Sequence, residues 1–237
     1  MRTLGTSGSN LRRRDFVKSA GVIAAGLGSV ASATGRAPAP GMVRDRLWLW
    51  GHPAGSHNGD YGLEGKSIIT PVEAAYYMSI PNVIMIRYGD KPDLAILPQY
   101  SVPFHALREV VWSIPGAADP ASRSEQEAVL KLAGDTPNMT GIMMDDFFTG
   151  DADILTGKKP GPAAGLSPED LADIQKQLKG VGDSRRRARP GERKLDLWVV
   201  LYTYQLFDGV VPHLKQCDRV ALWTWKAEDL AQLEAKT

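Results

Sequence analysis

Cysteine is almost missing from this chain. Cys217 is the only one in 237 residues, so no disulfide can form within the molecule. Placed just before an apolar run, that thiol reads as a buried structural residue rather than a nucleophile. Neither sign of charge is in excess, with 28 Lys and Arg against 27 Asp and Glu. The balance gives no reason to expect nucleic acid as a partner. The most basic run, Arg185-Arg186-Arg187-Ala188-Arg189, has no interleaved aromatics and reads as a solvated loop. Histidine is scarce, at four residues. His52 alone does not make a metal site, which needs three or four ligands, and no cofactor is expected. Gly51-His52-Pro53-Ala54-Gly55 lacks the spacing of a dinucleotide-binding turn, which weakens a Rossmann reading.

The first forty residues carry signals of another kind. Arg12-Arg13-Arg14-Asp15-Phe16-Val17-Lys18 has the order of a twin-arginine export motif, an address read by a receptor. The apolar run from Ala20 to Ala31 contains Gly21, Gly26 and Gly28. It falls short of the roughly 20 apolar residues of a membrane span, so no stable membrane anchor is expected. Ala31-Ser32-Ala33 supplies a small-x-small cleavage pattern. Residues 1–33 therefore read as a signal peptide and residues 34–44 as a linker. Residues 45–237 read as a single domain, exported to the periplasm or beyond. The expected partner for export is the twin-arginine machinery, through Arg13 and Arg14.

Within the domain, apolar runs alternate with helix signals. The runs are Leu47 to Gly51, Val83 to Tyr88, Val110 to Ile114, Gly141 to Phe148, Leu195 to Tyr204 and Val220 to Trp225. Most are continuous rather than alternating, as in parallel strands covered on both faces. Thr70-Pro71-Val72-Glu73, Ser124-Glu125-Gln126-Glu127 and Ser167-Pro168-Glu169-Asp170 read as helix starts, with stops at Gly134 and Gly180 after the latter two. Shorter helices are expected near Pro212 to Gln216 and from Glu228. This order predicts an α/β fold with a parallel sheet. Long loops after strands one and four favour a TIM-type (β/α)8 barrel. About six βα units are present where eight are needed. The favoured expectation is a fragment of a longer barrel, with an open sheet or unrecognised strands as alternatives.

Chemistry concentrates at the expected strand ends. Asp145-Asp146 closes the fourth apolar run, where two carboxylates are costly to bury unless used or paired. Alternation along a strand puts one at the barrel mouth and the other toward the helices or a loop, with the choice left open. Trp50, Tyr204 and Trp225 are expected to bind substrate, and Trp48 and Trp198 to fill the core. His52 is a candidate hydroxyl binder, proton donor or lone metal ligand, whereas His57 reads as an ordinary loop residue. Arg87 is placed to clamp a carboxylate, Asp145 or Asp146 included. Lys226 is either a substrate contact or solvated.

Across residues 45–230, the placement of Asp145-Asp146 and of Trp223-Thr224-Trp225 resembles the (β/α)8 glycoside-hydrolase-like proteins of bacteria, many of them exported. That resemblance implies an acid at the end of strand four and aromatics around the mouth. It differs from the chitinase-like pattern, in which several spaced acids end in a glutamate. The leading expectation is an exported carbohydrate-active hydrolase that uses Asp145 or Asp146, with Asp60, Glu64 or Glu228 as candidates for a second carboxylate. One alternative is a metal-dependent sugar isomerase or epimerase using His52 and one aspartate. Another is a saccharide-binding protein without catalysis.

Overall fold

The computed structural model describes residues 42–62, 64–116, 120–188, 194–224 and 226–231. The export motif with Arg13 and Arg14, the cleavage pattern and Trp225 lie outside the described residues. A short 3-10 turn, Val43–Arg46, spans the expected start of the domain and leads into β1 (Trp48–Gly51). There follow α1 (Pro71–Met78), β2 (Asn82–Met85), α2 (Leu97–Ser101), β3 (Glu109–Ile114), α3 (Pro120–Asp135) and β4 (Met139–Met144). The chain continues through α4 (Ala152–Leu155), α5 (Pro168–Ala188), β5 (Asp196–Tyr202), α6 (Val211–Leu214), β6 (Arg219–Trp223) and α7 (Ala227–Leu230). No helix among the described residues is long and apolar enough to cross a membrane.

The six strands form one all-parallel sheet in the order β1-β2-β3-β4-β5-β6. Parity along each strand divides the core in two. One set, including Val83, Met85, Trp112, Ile142 and Val199, packs outward under the helices. The other, including Ile84, Val111, Met143, Trp198 and Val200, faces inward. The sheet curls into a half-barrel, because inward side chains of its far strands meet. Trp50 of β1 touches Trp223 of β6 edge-on at 4.6 Å, and Trp48 touches Trp198 of β5 at 5.2 Å. Burial on both faces explains the continuous apolar runs. Gly141 makes the inner layer fit. A Cβ there would lie 2.4 Å from the Asp196 carbonyl and 2.8 Å from the Trp198 indole nitrogen.

Two helix starts follow their sequence signals. Thr70 Oγ1 accepts from the Glu73 backbone N–H (3.2 Å) while Glu73 Oε2 accepts from the Thr70 N–H (2.8 Å). Ser167 and Asp170 make the same reciprocal pair (3.1 and 2.9 Å) at the start of α5. Two helix boundaries differ from expectation. Ser124 lies a turn inside α3, so Ser124 to Glu127 is no helix start. Helix α5 runs through Gly180 to Ala188. A helical glycine costs about 1 kcal/mol, and burial of the helix face beyond it offsets that cost. On that face Gly182 lies close to Leu195, and Arg185 is buried and donates to the carbonyls of Pro137 and Met139. Arg185 therefore anchors the start of β4 and does not belong to a solvated loop.

Candidate active site

All six strands point their carboxyl ends at one cavity of about 550 Å³. The loop after β1 supplies His52, His57 and Tyr61; the segment after β2 supplies Arg87 to Asp90; β4 leads to Asp145 and Asp146. Tyr202 and Tyr204 come from the end of β5 and Trp223 from the end of β6. The β1 loop is closed by Asn58, whose side chain donates to the Ser67 carbonyl (3.0 Å) and accepts from its N–H (2.8 Å).

Asp145 continues the inward parity of Met143, and so points into the cavity. Asp146 does not turn to the opposite face. Its φ is 45°, in the left-handed region, which reorients the chain and brings both carboxylates to the same cavity. For a residue other than glycine this costs on the order of 1 kcal/mol and persists only where neighbours enforce it. Those neighbours are identifiable. Tyr202 Oη donates to Asp146 Oδ1 at 2.7 Å, and the Asp146 N–H donates to Asp145 Oδ1 at 3.0 Å. Gln205, buried, accepts from the Tyr202 N–H (3.0 Å) and donates to the carbonyls of Phe148 (3.1 Å) and Thr149 (3.2 Å). The end of β5 thus clamps the segment that follows β4.

The electrostatics separate the two carboxyls. Burial, and then the like charge of Asp146, push Asp145 up from 3.8 to about 6, against the opposing hydrogen bond from the Asp146 N–H. Burial and the bond to Asp146 also push the Tyr202 phenol up, so it remains a donor. A protonatable acid therefore sits beside a second carboxylate whose geometry a phenol fixes. That arrangement suits transfer of a proton to a leaving group.

The aromatic lining is continuous. Tyr202 stacks on Tyr204 (5.3 Å, 17° between planes) and meets Trp223 edge-on at 6.1 Å; Trp223 in turn meets Trp50. Tyr204 is half exposed at the rim. Trp48 and Trp198 lie deeper, as inner-layer core, with the Arg219 guanidinium 5.0 Å over the Trp198 ring.

The remaining expected site residues take varied places. His52 and His57 both line the cavity and meet edge-on at 4.5 Å. Burial, then His57, push His52 below its ordinary value, and its Nδ1 is buried without a partner. Arg87 lines the cavity but pairs with Glu125 of α3 rather than with Asp145 or Asp146. Its remaining nitrogens donate to the carbonyls of Pro92 (2.8 Å) and Asp90 (2.9 Å), which holds the loop after β2. Burial pushes the Glu125 carboxyl up, with Arg87 opposing. Lys226 is exposed at the start of α7 and is not among the lining residues. Asp60, Glu64 and Glu228 do not line the cavity either; Asp60 sits 3.4 Å from His57 Nδ1. Among the described residues, no group of three or more His, Cys, Asp or Glu side chains is arranged to hold a metal ion. Cys217 is partly buried, and burial pushes its thiol up to about 12.

Tyr202 and Glu125 line the cavity without having been singled out by the sequence. Tyr202 shares the inward parity of Trp198 and ends β5, a signal present but assigned to Tyr204. Glu125 carries no local signal, because its partner Arg87 is 38 residues away. No protein-family model and no curated protein matches the chain.

Proposed function

We propose that this protein is a carbohydrate-active hydrolase and that Asp145 and Asp146 carry its chemistry. The observation that supports this reading is the convergence of both carboxyls on one aromatic-lined cavity, with Asp145 raised to about 6. Glycoside hydrolysis needs an acid to protonate the departing oxygen and a carboxylate to answer positive charge at the anomeric carbon. Asp145 is the acid. Asp146, oriented by Tyr202, is the carboxylate. Trp50, Trp223 and Tyr204 take the C–H faces of sugar rings, and His52 lies within reach of hydroxyls. The half-barrel is on this reading the greater part of a TIM-type barrel, in which catalytic groups sit at strand carboxyl ends.

Asp145→Asn and Asp146→Asn are the test, each assayed for product release on an oligosaccharide panel. The reading expects each to lose turnover by about a hundredfold or more while unfolding cooperatively. Full activity in both would refute it. Saccharide binding by the wild type with no product would favour the second reading, a saccharide-binding protein, which the aromatic lining also supports.

We also propose that Arg13 and Arg14 direct export to the periplasm or beyond. Replacing both with lysine is expected to leave the protein in the cytoplasmic fraction. Unchanged export would refute the signal.

A further inference from the structure

The charges lining the cavity do not balance. Among the described lining residues are four carboxylates, Asp90, Glu125, Asp145 and Asp146, and one guanidinium, Arg87. That guanidinium is already committed. It pairs with Glu125, donates to the carbonyls of Pro92 and Asp90, and lies 3.9 Å from the Asp90 carboxylate, with its side chain 9% exposed. Asp145 and Asp146 have each other, the Tyr202 phenol and a backbone N–H as close polar neighbours. The two histidines at the wall, His52 and His57, press on each other. Burial and His57 hold His52 toward its neutral form. The rest of the wall is largely uncharged and includes the rings of Trp50, Tyr202, Tyr204 and Trp223, whose faces carry negative potential.

Such a cavity disfavours an anionic ligand and rewards a cationic one. A uronate or sulfated sugar would bring like charge against Asp145 and Asp146 with no free guanidinium to answer it. A protonated amine would instead meet carboxylate oxygens in charge-assisted hydrogen bonds, which are shorter and stronger than neutral ones. It would gain further from the faces of Trp50, Trp223 and Tyr204, where cations are attracted.

We propose that the saccharide taken by this cavity is an amino sugar with its amine free, a hexosamine unit whose ammonium sits against the Asp146 carboxylate while its ring lies on the aromatic wall. This deepens the carbohydrate reading above and rests on it.

Calorimetric binding to the full chain at about pH 5.5, low enough for the glucosamine amine to carry its proton although neighbouring oxygens hold it far below a lysine amine, tests the proposal. The probes are oligomers of glucosamine, their N-acetylated counterparts, neutral glucose oligomers, oligogalacturonate and a lysine tetrapeptide. The glucosamine oligomer is expected to bind tightest, on the order of tenfold over its N-acetylated counterpart. That advantage should shrink as salt rises from about 0.05 to 0.5 M, because exposed charges are screened. Asp146→Asn is expected to abolish the advantage, since asparagine removes the charge yet tolerates the left-handed turn. If that variant does not fold, the salt series on the wild type decides.

Equal or tighter binding of the neutral or N-acetylated oligomers overturns the amine inference and leaves the saccharide reading standing. So does tightest binding of oligogalacturonate. A lysine peptide bound as tightly as the amino sugar overturns the sugar part of the proposal. Binding of no saccharide at all overturns both.

Discussion

Replacing Asp145 with asparagine should make the protein more stable at neutral pH. Folding moves this carboxyl from 3.8 to about 6. A group whose value rises on folding keeps its proton longer in the native state. The native state then binds more protons than the unfolded chain between about pH 4 and pH 6, so stability falls as pH rises through that window. Above it, the full displacement corresponds to about 3 kcal/mol against the native state. Partial exposure screens some of this, leaving roughly 2 kcal/mol. Asparagine is neutral at every pH and keeps an acceptor for the Asp146 N–H, so it escapes the penalty. For a domain of this size, about 2 kcal/mol is a rise of roughly 4–8 °C in the unfolding midpoint. Scanning fluorimetry of wild type and Asp145→Asn at pH 8 and pH 4 measures it. The variant should unfold higher at pH 8 and level with wild type at pH 4. A variant that unfolds lower at pH 8, or whose offset is the same at both pH values, refutes the reasoning.

Two further changes examine the supports of the site. Tyr202→Phe removes the donor to Asp146 without disturbing the stack on Tyr204. Its kcat on a cleaved saccharide should drop by about tenfold, the equivalent of roughly 1.4 kcal/mol, with KM nearly unchanged; a changed KM with unchanged kcat would make Tyr202 a binding residue instead. Glu125→Ala strands the Arg87 guanidinium in a mostly buried place, and denaturant unfolding should show a loss of roughly 3 kcal/mol. A loss under about 0.5 kcal/mol would assign the pair to the solvated surface.

Much of the sheet was legible because strands buried on both faces leave continuous apolar runs, as in Val83 to Ile86 and Leu197 to Leu201. The Thr70–Glu73 start of α1 was legible because its hydrogen bonds are local. Strand ends were less so. Asp145 to Phe148 and Thr203 to Tyr204 continue apolar runs yet leave the sheet, since hydrophobicity records burial rather than strand pairing. Alternation along an ideal strand sent Asp145 and Asp146 to opposite faces. The left-handed turn at Asp146 defeats that rule, and no glycine marks it in the sequence. What holds the turn comes from β5, through Tyr202 and Gln205, more than fifty residues later. Arg87 reads as a clamp for a carboxylate, and its partner is Glu125, on a helix that starts at Pro120 rather than at Ser124. The arginines at 185–187 read as a loop because Gly182, Pro190 and Gly191 lie beside them, whereas burial of Arg185 against β4 carries the helix through them.

The most direct test of the account is the pH dependence of saccharide cleavage by the wild-type full chain, followed by mass spectrometry of products from pH 4 to 8. If Asp145 is the proton donor, the rate should fall as pH rises through about 6, where it loses its proton. A rate that climbs through that range, or no product from any saccharide at any pH, would contradict it.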